Sequence, residues 1–169
     1  MTIARLSRLA IVVAAATALA GGVMAGAPAM AQTKQAAQSK PSKPTAGAQH
    51  KVAIQVNQND KAVMDLALNN AKNIAEHFKA KGETVAIELV AYGPGLHMLR
   101  SDTSPVKDRI SVMSLENPNM TFAACGNTQA NQAKAENKPV TLITEAKVTP
   151  SGVVRLMELQ KQGYAYIRP

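Results

Sequence analysis

From Lys51 to Asn57 the chain alternates apolar and polar positions, KVAIQVN, with β-branched side chains at Val52, Ile54 and Val56. That alternation predicts a strand. Asn59-Asp60 then offers a helix cap, and Met64, Leu68, Ala71, Ala75 and Phe78 recur at helical spacing up to Lys81-Gly82. TVAIELVAY, Thr84–Tyr92, is apolar along its whole length, as a strand covered on both faces must be. Gly93-Pro94-Gly95 forces a turn. Ser104-Pro105 reads as cap and first residue of a second helix, carrying Val106, Ile110 and Met113 on one face and ending at Asn117-Pro118-Asn119.

MTFAAC, Met120–Cys125, predicts a third strand, and NTQANQAKAEN after it suits a surface helix poor in large apolar residues. Val140–Ile143 fits either a strand or a last turn after Pro139, and Ala146–Thr149 is taken as strand four. A helix starting at Thr149-Pro150 should turn Val153, Leu156, Met157 and Gln160 inward and close at Gly163. YAYIRP supplies a short final strand. Strands alternating with helices imply right-handed crossovers and one mainly parallel sheet of about five strands between helical layers, a three-layer α/β/α domain.

The first 31 residues do not join this pattern. Arg5 and Arg8 precede an apolar run from Leu9 to Ala20, and Ala29-Met30-Ala31 has the small-x-small form of a signal-peptidase site. The run falls short of the roughly 20 strongly apolar residues a membrane span requires. The reading is a cleaved signal peptide, residues 1–31, export to a periplasm, and no stable membrane insertion. Residues 32–50, rich in Gln, Ala, Ser and Pro, have no apolar period and read as a disordered polar linker. The domain proper is residues 51–169.

Charge adds little. The chain has 19 Lys and Arg against 11 Asp and Glu; loss of Arg5 and Arg8 leaves 17 against 11, a net +6. Both signs are interspersed from Lys51 onward, Trp is absent, and there are only three Tyr and two Phe. Nucleic-acid binding would want a basic stripe and stacking rings, so the excess charge is assigned to solubility. Three scattered His give no metal motif. Gly93-Pro94-Gly95 is not a dinucleotide fingerprint, and Ser151-Gly152 lacks the flanks of a nucleophile elbow. No cofactor is implied.

One residue carries candidate chemistry. Cys125 is the single cysteine, and it stands where a strand breaks into Gly126-Asn127-Thr128. Helix N-termini and nearby cations lower a thiol's pKa, and only the thiolate is reactive. Gly126 would let the backbone turn, Asn127 or Thr128 would cap the helix, and Arg100 would add positive potential. In parallel sheets ligands gather outside the carboxyl ends of the strands. That brings in Tyr92, Gly93, Gly95 and His97 after strand two, with His97 placed to take the thiol proton. A cysteine among Phe and Ala is equally often plain packing, and a histidine placed like His97 more often makes one structural hydrogen bond.

Taken in order, VAIQV, LALNNAKNIAEHF, IELVAYGPGLHML, FAACGNT and VTPSGVVRLMELQKQGYAYIRP resemble the DsrE/DsrF-like sulfur-relay family across Lys51–Pro169. The resemblance implies a compact parallel α/β domain that assembles as trimers or hexamers. It also implies a persulfide-carrying cysteine at the position of Cys125, exchanging sulfur with donor and acceptor proteins. The known relay members work in the cytoplasm, so an exported chain is not expected to serve tRNA thiolation, and Gln129–Ile143 matches the family pattern less well. The alternative is a non-catalytic oligomeric module whose crevice, Tyr92 to His97, holds a small anion. A redox thiol is disfavoured because the chain has no resolving cysteine.

Overall fold

The computed structural model describes residues 48–169. The signal peptide and most of the linker read from the sequence lie outside those residues. Five strands form one sheet in the order β4-β3-β2-β1-β5: β1 His50–Val56, β2 Val85–Ala91, β3 Met120–Cys125, β4 Ala146–Thr149 and β5 Ala165–Ile167. Every pair in it is parallel. Among the described residues no helix is long and apolar enough to cross a membrane.

The alternation within each strand sorts two cores. One face turns out Ile54, Val56, Leu89 and Phe122 against Met64 and Leu68 of α1 (Lys61–Ala80) and Ile110 of α2 (Lys107–Glu116). The opposite face turns out Ala53, Ala86, Val90 and Ala123 beneath Leu156 and Leu159 of α4 (Gly152–Lys161). Large residues on one side and mostly alanines on the other let α4 lie close to the strands. The three-layer α/β/α architecture and its parallel sheet follow.

Helix α1 matches its sequence signals. The Asp60 carboxylate accepts from Ala62 N at 2.7 Å, satisfying an orphan amide, and Gly82 takes φ +71° after the last turn. The Gly93-Pro94-Gly95 turn is the start of a 3₁₀ helix, Gly93–Leu99, which buries Leu96, Met98 and Leu99. Helix α2 begins at Lys107, two residues later than Ser104-Pro105 predicts. The Ser104 hydroxyl donates to Met98 O and accepts from Val106 N at 3.3 Å, a local turn that competes with helix. Residues 140–143 are neither a named strand nor a helical turn. Leu142 forms an isolated antiparallel bridge with Arg100, strapping the end of the 3₁₀ segment.

In α4 the inward stripe differs from expectation. Gly152, Arg155, Leu156 and Leu159 are buried, whereas Val153, Met157 and Gln160 are exposed. The cause is a buried ion pair. Arg155 Nε and Nη2 reach Glu88 of β2 at 2.6 and 2.7 Å, and a guanidinium drawn inward rotates the apolar stripe away from the one hydrophobicity alone would choose.

Candidate functional site

The sheet parts at the carboxyl ends of β3 and β4. Beyond β3 runs α3, Gly126–Glu136, which packs beside the 3₁₀ segment; beyond β4, α4 starts on the opposite face. Neighbouring strands whose outgoing helices diverge create a crevice, the topological switch point of an open α/β sheet. Cys125 is the last residue of β3, on the side of the sheet that α4 covers.

Cys125 is itself the cap of α3, in place of Asn127 or Thr128. Its backbone is extended (φ −70°, ψ 113°), and its Sγ accepts from Thr128 N at 3.5 Å. The Thr128 hydroxyl and the amides of Gly152 and Asn127 lie near enough to help lower the thiol's pKa, although the Asn127 amide itself donates to Pro150 O at 3.2 Å. The N-termini of α3 and α4 therefore both lie beside Cys125. Burial pushes the Cys125 thiol up, but the Thr128 hydroxyl and the three amides more than offset it, and the net pKa lies below the ordinary thiol value. The residue is 5 % exposed, so the sulfur has little open surface.

Close approach explains two glycines. A Cβ on Gly152 would fall 2.8 Å from Tyr92 Cβ and 3.3 Å from Cys125 Cβ. A larger residue would push the α4 amide off the sulfur. A Cβ on Gly95 would meet Val56 O at 2.3 Å, so Gly95 seats the 3₁₀ segment on the end of β1 and lies off the sulfur. Gly126 turns the chain against Thr149 O and Val148.

The other expected site residues divide. Tyr92 sits beside Gly152, and burial followed by neighbouring Tyr166 raises its hydroxyl pKa, keeping it neutral at physiological pH. Gly93, at φ +53°, donates its amide to Thr128 Oγ1 at 2.9 Å. His97 does not bond the sulfur; its Nδ1 pairs with Thr103 Oγ1 at 2.8 Å. The imidazole lines a separate open cavity of about 460 Å³ with Asn59, Thr128, Asn131 and Gln132, and Thr128 stands between that cavity and Cys125. Arg100 lends the thiol no direct charge, because its guanidinium is taken by Asp102 and Glu136. Among the described residues no group of three His, Cys, Asp or Glu side chains converges as metal ligands.

Thr128 and Gly152 were not among the expected site residues. Thr128 was legible only as a cap and Ser151-Gly152 only as a failed elbow. What joins them is spatial, since a residue of β3, the first turn of α3 and the first residue of α4 meet only in the folded sheet.

A parallel α/β domain that caps a helix with its single thiol at a switch point defines a class of protein, small sheet domains with a strand-end cysteine. The DsrE/DsrF-like family model matches residues 50–169, and the chain belongs to that family. A solved protein of unknown function from Methanobacterium thermoautotrophicum shares the fold: it is 30 % identical with a TM-score of 0.60, over 71 % of this chain and 99 % of its own. No curated protein matches the chain.

Proposed function

We propose that this protein is an exported, periplasmic sulfur carrier that holds sulfur as a persulfide on Cys125. The Cys125 thiolate attacks the outer sulfur of a donor persulfide, R–S–SH. A new S–S bond forms, the donor S–S bond breaks, and the donor leaves as R–S⁻. In the second half an acceptor thiolate attacks the outer sulfur of Cys125–S–SH, takes it, and returns Cys125 as thiolate. No net oxidation occurs and no metal is needed. The supporting observation is the Thr128 amide donating to Sγ at the start of α3, with Gly152 of α4 packed against Cys125, a polar setting that lowers the thiol pKa and favours an anionic sulfur both as nucleophile and as leaving group. Copies assemble as trimers or hexamers, a reading helped by half-exposed Val153, Val154 and Met157 on the outer side of α4.

Incubation of the purified protein with polysulfide followed by intact-mass measurement should show one added sulfur that maps to Cys125 and vanishes in Cys125→Ser. Absence of any adduct, with a control carrier loading normally, overturns the reading. The second reading, a non-catalytic binding module, draws on the His97 cavity with its Asn59, Asn131 and Gln132 amides. It would be favoured by binding of a small anion that Cys125→Ser leaves unchanged.

A further inference from the structure

Helix α3 buries none of its residues, so apolar packing does not hold it in place. Besides Gln129 Nε2 on Val140 O at 2.8 Å and Asn127 N on Pro150 O at 3.2 Å, it is held by a stripe, Thr128, Gln132 and Glu136, spaced four apart and therefore on one side of the helix. Each member grips the 3₁₀ segment or the residue after it. Thr128 Oγ1 accepts from Gly93 N at 2.9 Å, and Gln132 Nε2 donates to Gly93 O at 3.3 Å. Gln132 Oε1 accepts from Arg100 Nη1 at 3.2 Å, and Glu136 accepts from Nη1 and, at 2.8 Å, from Nη2. Arg100, 1 % exposed, completes its fork on Asp102 at 2.9 and 2.8 Å. Lys138 balances the two carboxylates, reaching Asp102 at 3.2 Å and Glu136 at 3.4 Å.

This seam ends at the sulfur. A threonine hydroxyl has one proton and two lone pairs. With the Gly93 amide donating to the Thr128 oxygen, the hydroxyl proton can turn toward Cys125, while the Thr128 amide already donates to Sγ at 3.5 Å. The positive φ of Gly93 serves the same end, since both its N–H and its C=O are engaged by α3.

We propose that Gln132 and Arg100 are positioning residues for Cys125: by clamping Gly93 and α3 together they keep Thr128, with its amide on the sulfur and its hydroxyl beside it, in place. Neither touches Sγ. The proposal rests on the reading of Cys125 as a reactive thiolate, and it assigns a purpose to a nearly buried guanidinium and a glutamine that the sulfur chemistry itself does not use.

The test is the pH dependence of iodoacetamide alkylation of Cys125 in the full chain, for wild type, Gln132→Ala and Arg100→Met, each checked for folding by near-UV circular dichroism. In both variants the alkylation midpoint should rise by about one pH unit, as expected when a thiolate loses a hydrogen-bond donor, slowing the reaction at neutral pH by up to about tenfold. Midpoints that stay on the wild-type value in folded protein overturn the proposal and make the seam purely structural. If Arg100→Met fails to fold, Gln132→Ala decides alone. Sulfur loading of the wild type is read separately by mass, so a chain that takes no sulfur yet shows the midpoint shift defeats the carrier reading and keeps the positioning one.

Discussion

Helices α1 and α3 lie along the same domain and are held by opposite means. Helix α1 sinks Met64, Ala67, Leu68 and Ala71 into the larger core, and its polar contacts, the Asp60 cap and Asp65 and Asn69 on Arg109, add to that packing. Helix α3 sinks nothing and hangs on hydrogen bonds and ion pairs to Gly93 and Arg100. Apolar packing is strong but indifferent to the exact angle of a hydroxyl, whereas a polar seam contributes less stability and fixes direction. The helix that supports the thiol is the one held by direction. Core packing and the setting of the thiol are thus carried by different elements.

That division can be broken from either side. Leu68→Ala removes a fully buried side chain from α1 and should cost about 2–5 kcal/mol in urea unfolding, while the alkylation midpoint of Cys125 stays where it is. A shifted midpoint would mean the two helices are coupled. Thr128→Val keeps the shape and removes the hydroxyl donor. Stability should change by no more than about 1 kcal/mol, but the midpoint should rise, by more than in Gln132→Ala because the donor itself is gone.

The smallest effect is the most specific. A thiol held below its ordinary pKa by native hydrogen bonds contributes stability above the unfolded value, near 8.5, and that contribution is lost as pH falls through the lower folded value. Wild type should therefore gain on Cys125→Ala between mildly acidic and alkaline pH, in paired urea titrations, and a flat difference would deny the depressed thiol.

Much of the fold was legible because hydrophobic period and turn chemistry agree along the chain. Strand β2 reads as buried on both faces and is, and Gly82 closes α1 as its type demands. What misled was polarity in buried places. Arg155 looks like a surface residue until Glu88 is found opposite it, and its inward turn displaces Val153 and Met157 to the outside. Arg100 likewise reads as a free cation near a thiol until Asp102 and Glu136 occupy it. At the site, Cys125 was legible from its place at a strand end. The partners were not, because Gly152 and Thr128 owe their roles to convergence of separate segments, and periodicity within one segment carries no trace of that.

The strand order has a last consequence, for how the chain becomes adhesive when incomplete. The three residues of β5 pair Val52, Ala53 and Ile54 of β1 with Ala165, Tyr166 and Ile167, and the Tyr166 hydroxyl bonds Gln55. Among the described residues, that side of the first strand is paired only with the last. Trimming the chain before Ala165 would strip one whole flank of β1 of its backbone partner, leaving an apolar template open to a neighbour's strand. The three residues of β5 thus stand between a closed flank of β1 and self-templated association.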